Sequence, residues 1–204
     1  WQTVNINLSA YVGGGIQLRF NRFVGSTWQA DIAIDDVSLI DEEIIIESCS
    51  GGITAYTYTE SYENTLGGWT QSTGDDINWT VDANGTPSSG TGPSSAITGS
   101  YYIYVEASGS AGYPNKRAII NSPCYDLTSA VSPTFSFNYH MYGSSDMGTI
   151  ALEASNDNGL SWTLLWSESG NKGNSWQSAV IDLSAYEGNS VQLRFNRFTG
   201  GTWQ

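Results

Sequence analysis

Apolar and polar residues alternate over short stretches of the chain, with the period of a β-strand. The clearest stretch is Thr134–Met141, whose apolar side chains all fall on one face of an extended segment: Phe135, Phe137, Tyr139 and Met141. Clusters of glycine, serine, asparagine and proline separate such stretches from one another. Many short strands divided by turn residues are typical of a sandwich or jelly roll. We therefore predict an all-β fold, an antiparallel jelly-roll β-sandwich.

A near-copy of one sequence stands at both ends of the chain. Residues 1–29 align with 176–204 at a constant offset of 175 (176 − 1), and the alternation at Ile16, Leu18 and Phe20 returns at the equivalent positions. A period of this length is a whole domain, since solenoid units span only about 20–50 residues. We therefore interpret the chain as an excerpt of a tandem array.

This interpretation divides the chain into three segments. Residues 1–41 are the C-terminal strands of a preceding repeat, 42–52 are a linker, and 53–204 are most of the next repeat without its last strands. The linker prediction rests on an acidic cluster followed by a serine and glycine patch. Between them lies Ile44–Ile46, which we predict to be a connecting strand because three β-branched apolar residues favour packing.

The composition narrows the possible partners. The net charge is −13, and only 13% of residues are charged. Nucleic acid is excluded, because its phosphates require lysine and arginine. An acidic surface favours solubility and permits cation binding. No stretch of the sequence is apolar and long enough to predict a membrane span.

Several short motifs together are specific where each alone would be weak. They are GWTQ, DDINWT, TPS, TGP and, from the first repeat, DIAIDD, at residues 68–71, 75–80, 86–88, 91–93 and 31–36. This combination resembles the MAM domain, an extracellular module of adhesive receptors, in the variant found in secreted multidomain proteins of Bacteroidetes-type bacteria. The resemblance covers nearly all of residues 48–204. It implies a jelly-roll sandwich of two antiparallel sheets with a binding or structural role and no catalysis.

The chain departs from this family in its cysteines. Animal MAM domains typically carry more than the two found here, Cys49 and Cys124. A secreted β-domain of the kind that the resemblance implies favours pairing. We therefore predict a Cys49–Cys124 disulfide that ties the N-terminal segment of the domain to a sandwich strand. Two free buried thiols are the alternative.

The resemblance also implies a structural calcium site built from carboxylates in MAM-like stretches: Glu63, Asp75 and Asp76 in one repeat, and Asp35 and Asp36 in the other. In jelly-roll modules of this kind the first and last strands are neighbours, so carboxylates distant in sequence converge. Calcium takes about six to eight oxygen ligands. The alternative is that Asp75 and Asp76 cap a loop.

Catalytic motifs are absent from the sequence. His140 is the one histidine, and neither His-Glu-x-x-His nor Gly-x-Ser-x-Gly occurs. The stretch Ser155–Trp162 fits the Asp-box pattern of sialidase propellers, which is a turn device: Asp157 caps the turn and Gly159 takes positive φ. A propeller needs repeats of about 50 residues, so we set that fold aside.

Three functions are compatible with this sequence. We expect a non-catalytic adhesion or structural repeat of a large secreted or cell-surface protein, such as an adhesin, stalk or filament, with export by the type IX route of such bacteria. Its partners would be neighbouring repeats and surface glycans or proteins. The alternative is a carbohydrate-binding accessory module of a secreted multidomain enzyme, with exposed tryptophans as the sugar platform. The third is a filament subunit in which segment 1–40 completes the sandwich of another chain.

Overall fold

The computed structural model describes residues 1–23, 25–26, 31–40 and 49–203. The chain divides into two compact units, Trp1–Ile45 and Ile46–Gln204. The connecting strand predicted at Ile44–Ile46 and most of the linker predicted at 42–52 lie outside the described residues. The division into 1–41, 42–52 and 53–204 therefore stays a prediction. Across the described ranges, no helix has the length and apolar character needed to cross a membrane.

Among its described residues, the first unit holds one regular element, a 3₁₀ helix at Ser9–Tyr11. Ile16, Leu18 and Phe20, predicted to lie on a strand, form none in this unit, and their side chains are exposed. A strand persists where neighbouring strands satisfy its backbone N–H and C=O groups. The described part of this unit contains no such neighbours, whereas the second unit does.

One short element, by contrast, is present in both copies of the repeat. The second unit has its own 3₁₀ helix at Ser184–Tyr186. The residue before each helix has nearly the same backbone angles, φ −107° and ψ 12° at Leu8 against φ −110° and ψ 14° at Leu183. The sequence Leu-Ser-Ala-Tyr thus determines this turn without help from a sheet.

The second unit is built on a five-stranded sheet whose strand order is β1-β4-β9-β6-β7. These strands are β1 (Thr70–Gln71), β4 (Arg117–Asp126), β6 (Gly148–Ser155), β7 (Thr163–Ser169) and β9 (Ser190–Thr199). The central strand β9 is antiparallel to both neighbours. Its apolar residues alternate inward, as the sequence predicts: Val191, Leu193 and Phe195 are buried.

Two ribbons of two strands each face this sheet. One ribbon pairs β2 (Thr80–Ala83) with β3 (Tyr101–Tyr104), and the other pairs β5 (Thr134–Tyr139) with β8 (Gln177–Asp182), all antiparallel. A one-turn helix, α1 (Gly109–Gly112), precedes β4. The prediction of an all-β antiparallel sandwich is therefore confirmed.

Aromatic side chains fill the space between the two layers. Trp69 stacks on Phe195 with ring centroids 5.4 Å apart and an interplanar angle of 14°. Phe137 on β5 meets the same phenylalanine edge-on, with centroids 4.9 Å apart. Offset and edge-to-face pairs of this kind stabilise a core beyond the area that they bury.

A disulfide anchors the N-terminal segment of this unit to β4. Cys49 and Cys124 are bonded with an S–S distance of 2.06 Å, the pairing expected from the sequence. Close by, the Ile53 N–H donates to the Cys124 carbonyl at 2.8 Å, and the Asp126 N–H donates to the Ile53 carbonyl at 3.0 Å. The first residues of the unit are thus held both covalently and by hydrogen bonds.

Candidate functional site

A cleft of about 890 Å³ lies between the five-stranded sheet and the two ribbons. All of β3 and all of β5 line it, whereas their partner strands β2 and β8 do not. The cleft is therefore bordered by one edge of each ribbon. Within the described part of the chain, β3 pairs only with β2 and β5 only with β8, so the two ribbons do not join into one sheet.

The floor of the cleft is aromatic and aliphatic. It includes residues from both layers of the sandwich: Tyr62, Trp69, Phe135, Phe137, Ile150 and Phe195. The β5 side chains Phe135 and Phe137, predicted to share one face of a strand, are only half-buried because they open into the cleft. An apolar surface of this kind favours an occupant that brings apolar side chains of its own.

Arg197 on β9 adds a positive charge to this apolar lining. Its guanidinium donates to the main-chain carbonyls of Met147, at 2.6 Å, Thr149, at 3.2 Å, and Phe198. Among the described residues it has no carboxylate partner. Burial lowers the pKa of Arg197 to about 10, so the group stays charged at neutral pH.

The neighbouring arginine of the repeat is paired quite differently. Arg194 forms an ion pair with Glu153 on β6, and its guanidinium lies 4.1 Å from the ring centroid of Trp162. Its carboxylate partner thus lies on the neighbouring strand, and its aromatic partner lies just before β7. Arg197 remains the buried cation of this strand that is held by carbonyls alone.

The carboxylates predicted to bind calcium hold loops in this structure. Glu63 accepts hydrogen bonds from the N–H groups of Ser100, at 3.0 Å, and Tyr101, at 3.4 Å, at the start of β3. Asp75 accepts from the N–H of Ile119, and Asp76 accepts from that of Arg117 at 2.8 Å, both on β4. The carboxylates of Asp75 and Asp76 thus both accept hydrogen bonds from β4, whereas that of Glu63 accepts them at the start of β3.

Asp35 and Asp36 belong to the first unit, where the Asp36 N–H donates to the Asp35 carboxylate at 2.9 Å. Throughout the described ranges, no group of three or more His, Cys, Asp or Glu side chains is arranged to hold a metal ion. The capping role of Asp75 and Asp76, left open by the sequence, is present. Calcium binding stays a prediction.

Glu60 is a loop-holding carboxylate that sequence reasoning missed. It accepts hydrogen bonds from the N–H groups of Tyr62, at 3.1 Å, and Gly68, at 3.2 Å, and from the Tyr58 hydroxyl at 3.1 Å. Burial, with the nearby Glu60 charge, raises the pKa of Tyr58 to about 12. A Glu seven residues before a Gly-Gly pair carries no recognised motif, so nothing in the sequence singled it out.

The Asp-box stretch forms the turn that its sequence predicts. Asp157 is buried and accepts from the Ser155 hydroxyl at 2.6 Å and from the Ser161 N–H at 2.9 Å. Gly159 has φ of 84°, and its carbonyl accepts from the Trp162 indole N–H at 3.1 Å. Burial acts to raise the pKa of Asp157, but these hydrogen bonds outweigh it and lower that pKa below its usual value.

His140 lies among aromatic rings rather than among carboxylates. Its ring centroid is 5.4 Å from that of Trp176 and 6.4 Å from that of Tyr142, and burial lowers its pKa. The half-exposed Trp176 also meets Tyr102, at 6.1 Å, and donates its indole N–H to the Ser95 carbonyl at 3.1 Å. This cluster is a packed aromatic corner at one end of the cleft.

A sequence model of the family described as "MAM domain, meprin/A5/mu" matches residues 61–204. The chain is 36% identical over 124 residues to "MAM domain-containing glycosylphosphatidylinositol anchor protein 1" of Homo sapiens, which covers 57% of this chain and 13% of that protein. It is 31% identical over 147 residues to "MAM domain-containing glycosylphosphatidylinositol anchor protein 2" of Mus musculus, covering 65% of this chain and 15% of that protein. The chain thus spans only a small part of these relatives.

A solved structure described as "Structural basis for the promiscuous specificity of the carbohydrate-binding modules from the beta-sandwich super family" also matches. The TM-score is 0.41 at 15% sequence identity, and the match covers 72% of this chain and 57% of that one.

Proposed function

The chain belongs to the MAM domain family, and from this premise we propose that it is a non-catalytic adhesion or structural module of an extracellular or cell-surface protein. The observation that carries the proposal is the family match, which runs through every strand of the second unit, from β1 to β9. The two relatives are named as glycosylphosphatidylinositol anchor proteins. Such an anchor attaches a protein to a membrane by a lipid.

The disulfide supports an extracellular location. Disulfides persist in oxidising compartments and are rare in the cytosol. Tandem repetition supports adhesion rather than catalysis, because many weak sites on one chain gain avidity from their high effective concentration. The two relatives above are animal proteins, so the bacterial origin and export by the type IX route stay predictions, which the full gene sequence would test.

Attachment of coated beads to cells tests the adhesive function. Beads carrying the chain at graded densities should bind a cell layer, with binding that rises steeply with density, as multivalent contact requires. Beads that carry the chain after reduction and alkylation of its cysteines are the control, and they should bind less. Equal attachment of coated and bare beads at every density would refute an adhesive role.

Carbohydrate binding is the second candidate, favoured by the aromatic corner at Trp176. A polar pocket of about 370 Å³ lies beside it, lined in part by Thr86, Tyr142 and Asn174. Hydroxyl and amide groups next to an aromatic ring suit a sugar, which presents both apolar faces and hydroxyls. A glycan array should show saturable binding to one sugar class that Trp176→Ala abolishes and Trp1→Ala, the control at an exposed indole, leaves unchanged. No binding to any glycan would exclude this function.

We also propose that calcium stabilises the module through the carboxylates predicted from the sequence. Two neighbouring carboxylates, Asp75 and Asp76, beside the first residues of β4 support the proposal, since calcium prefers hard oxygen ligands. Added calcium should raise the melting temperature of the chain and leave that of the Asp75→Asn/Asp76→Asn variant unchanged. An unchanged melting temperature of the wild-type chain would refute calcium binding.

A further inference from the structure

The outer face of the five-stranded sheet carries a row of polar side chains across three strands. On β9, the core residues alternate with Arg194, Asn196 and Phe198, which therefore lie on the opposite face. By the same alternation, Glu153 on β6 and Arg117 on β4 share this outer face, next to β9. None of these residues lines the cleft. The outer face is therefore a surface of its own, and its composition does not depend on what fills the cleft.

Hydrogen bonds join four of these side chains into one network. Arg117 donates through Nε to Asn196 Oδ1 at 3.0 Å, and the Asn196 amide donates to the Glu153 carboxylate at 3.2 and 3.3 Å. Glu153 also accepts from Arg194 Nε at 2.5 Å. Asn196 is buried at the centre of the network, with its oxygen and its nitrogen both bonded. Each arginine is thus oriented through its Nε atom.

The network leaves the forked ends of both arginines unused. Neither the Nη groups of Arg117 nor those of Arg194 donate to an acceptor among the described residues. Asp76 accepts from the main-chain N–H of Arg117 and not from its side chain. Two Nη groups form a parallel pair of donors that matches the two oxygens of a carboxylate. The geometry of each arginine therefore suits an incoming carboxylate.

The charges of the network also favour an anion. Burial lowers the pKa of Arg194, the Glu153 carboxylate opposes that effect, and the positive charge of Arg117 adds to it. The two guanidinium groups are thus close enough to repel each other. Glu153 is the one carboxylate bonded to them, so the network carries two positive charges against one negative charge. A second carboxylate at this face would relieve the repulsion.

The surroundings of the network favour a sugar ring as the carrier of that carboxylate. Phe198 is 41% exposed, and its ring centroid lies 5.5 Å from the Arg117 guanidinium. Beside Asn196, the next outward residues across the sheet are small, Ala151 on β6 and Ser167 on β7. Small side chains next to an aromatic ring leave room for a flat ring that presents apolar faces and hydroxyls. A peptide is bound mainly along a strand edge or in an apolar groove, and the middle of a sheet face is neither.

From these observations we propose that the outer face of the sheet, centred on Arg117, Asn196 and Arg194, binds a carbohydrate that carries carboxylate groups, a polymer of uronic acids. The carboxylate accepts hydrogen bonds from the unused Nη groups, and the sugar ring lies against Phe198. This inference rests on the adhesive function proposed above, for which it names a class of ligand. The site is different from the aromatic corner at Trp176, which lies at one end of the cleft.

The internal repeat supplies the β9 part of this site twice. Its three residues have copies at the constant offset of 175, namely Arg19, Asn21 and Phe23. A polymer of uronic acids is itself a repeated ligand, so an array with one site in each repeat would gain avidity on it. The steep density dependence expected of coated beads follows from the same arithmetic.

Binding to immobilised glycans tests the class of ligand. The panel holds short oligomers of galacturonate, guluronate, mannuronate and glucuronate, each beside its methyl ester, which keeps the ring and the hydroxyls but loses the charge. The wild-type chain should bind at least one of the acids saturably. It should bind the matching ester about tenfold more weakly, because the charge-assisted hydrogen bonds are lost. Equal binding of acid and ester would overturn the proposal.

Substitution of the two arginines tests the site. Arg117→Gln/Arg194→Gln should weaken binding of the acid by about tenfold or more. Arg117→Lys/Arg194→Lys keeps both charges but cannot donate two parallel hydrogen bonds to one carboxylate, so it should also bind about tenfold more weakly. The matched control is Arg19→Gln/Lys172→Gln, which removes two positive charges elsewhere and should bind like the wild type. Melting temperatures verify that each variant is folded, and the comparison of acid with ester stands if one is not.

Three further results would overturn the proposal. One is the absence of binding to every acid of the panel; if coated beads still attach to cells, the adhesive function stands and this site alone is refuted. The second is binding that neither arginine variant weakens, or that the control loses equally, which would indicate general attraction between charges. The third is equal binding of a polyglutamate peptide, which would identify an acidic peptide as the ligand. Conversely, glycan binding without attachment of beads to cells would support the site and refute adhesion.

Discussion

Replacing Cys49 and Cys124 by alanine should lower the free energy of unfolding by about 4.5 kcal/mol. The structure supplies the magnitude, because the two cysteines are 75 residues apart in sequence. In the chain-entropy model, the restriction that a cross-link imposes on the unfolded chain grows with the logarithm of the closed loop, and a loop of this length gives about 15 cal/mol/K at 25 °C. Alanine is preferred to serine, since Cys49 is buried and a hydroxyl there would add the cost of an unsatisfied polar group.

Urea unfolding followed by tryptophan fluorescence measures this loss. The urea midpoint of the double variant should fall below that of the wild type. The midpoint of the wild-type chain with its cysteines reduced should fall by the same amount, since both changes open the same loop. Cys49→Ala alone is the second control and should match the double variant. Small domains have only about 5–15 kcal/mol of stability, so this loss removes between about a third and nearly all of it. A loss below about 1 kcal/mol would refute the loop-closure reasoning and assign the anchoring to the hydrogen bonds of Ile53.

Two further predictions concern single residues. Because the pKa of Asp157 is lowered on folding, the stability that its carboxylate contributes is present above the unfolded pKa of about 3.9 and is lost as pH falls through the lower folded pKa. Urea midpoints measured from pH 7 to pH 2 should show this loss in the wild type and a flatter profile in Asp157→Asn. Equal pH profiles of the two proteins would contradict this prediction. Gly148→Ala should cost at least about 2 kcal/mol, because φ is 95° and an added Cβ would lie 2.1 Å from the Phe198 carbonyl oxygen. Gly188→Ala, at φ 78° with nothing within 4 Å, is its control and should cost about 1 kcal/mol, and equal losses would show that contact with Phe198 does not matter.

Alternation was sufficient to predict two strands of the second unit, β5 and β9, because apolar side chains alternate there with more exposed ones. Thr134–Tyr139 forms β5, and the alternation at Val191, Leu193 and Phe195 lies on β9 as expected. The turn of the Asp-box stretch was also predictable, since its hydrogen bonds join residues at most four apart. Signals of this kind involve residues that are close together in sequence, so the sequence alone is enough to recognise them.

The cleft could not be predicted in the same way. It depends on which strand edges remain unpaired, and pairing is a long-range property that alternation does not encode. For the same reason, Ile16, Leu18 and Phe20 alternate as well as their copies do but form no strand in the first unit. The environment of Arg197 escaped prediction too, since its carbonyl partners Met147 and Thr149 lie about 50 positions away in sequence.

The Cys49–Cys124 bond also determines how the module would respond to mechanical tension. A pulling force that enters at Cys49 passes through the sulfur bridge directly to β4, so the segment between the two cysteines, which are 75 positions apart, is shielded from extension. At about 3.5 Å per residue, that shielded length is about 260 Å. Single-molecule stretching should therefore lengthen each module by this additional amount only after a reductant is added, and a stalk of such modules would have a maximal reach that depends on the redox state of its surroundings.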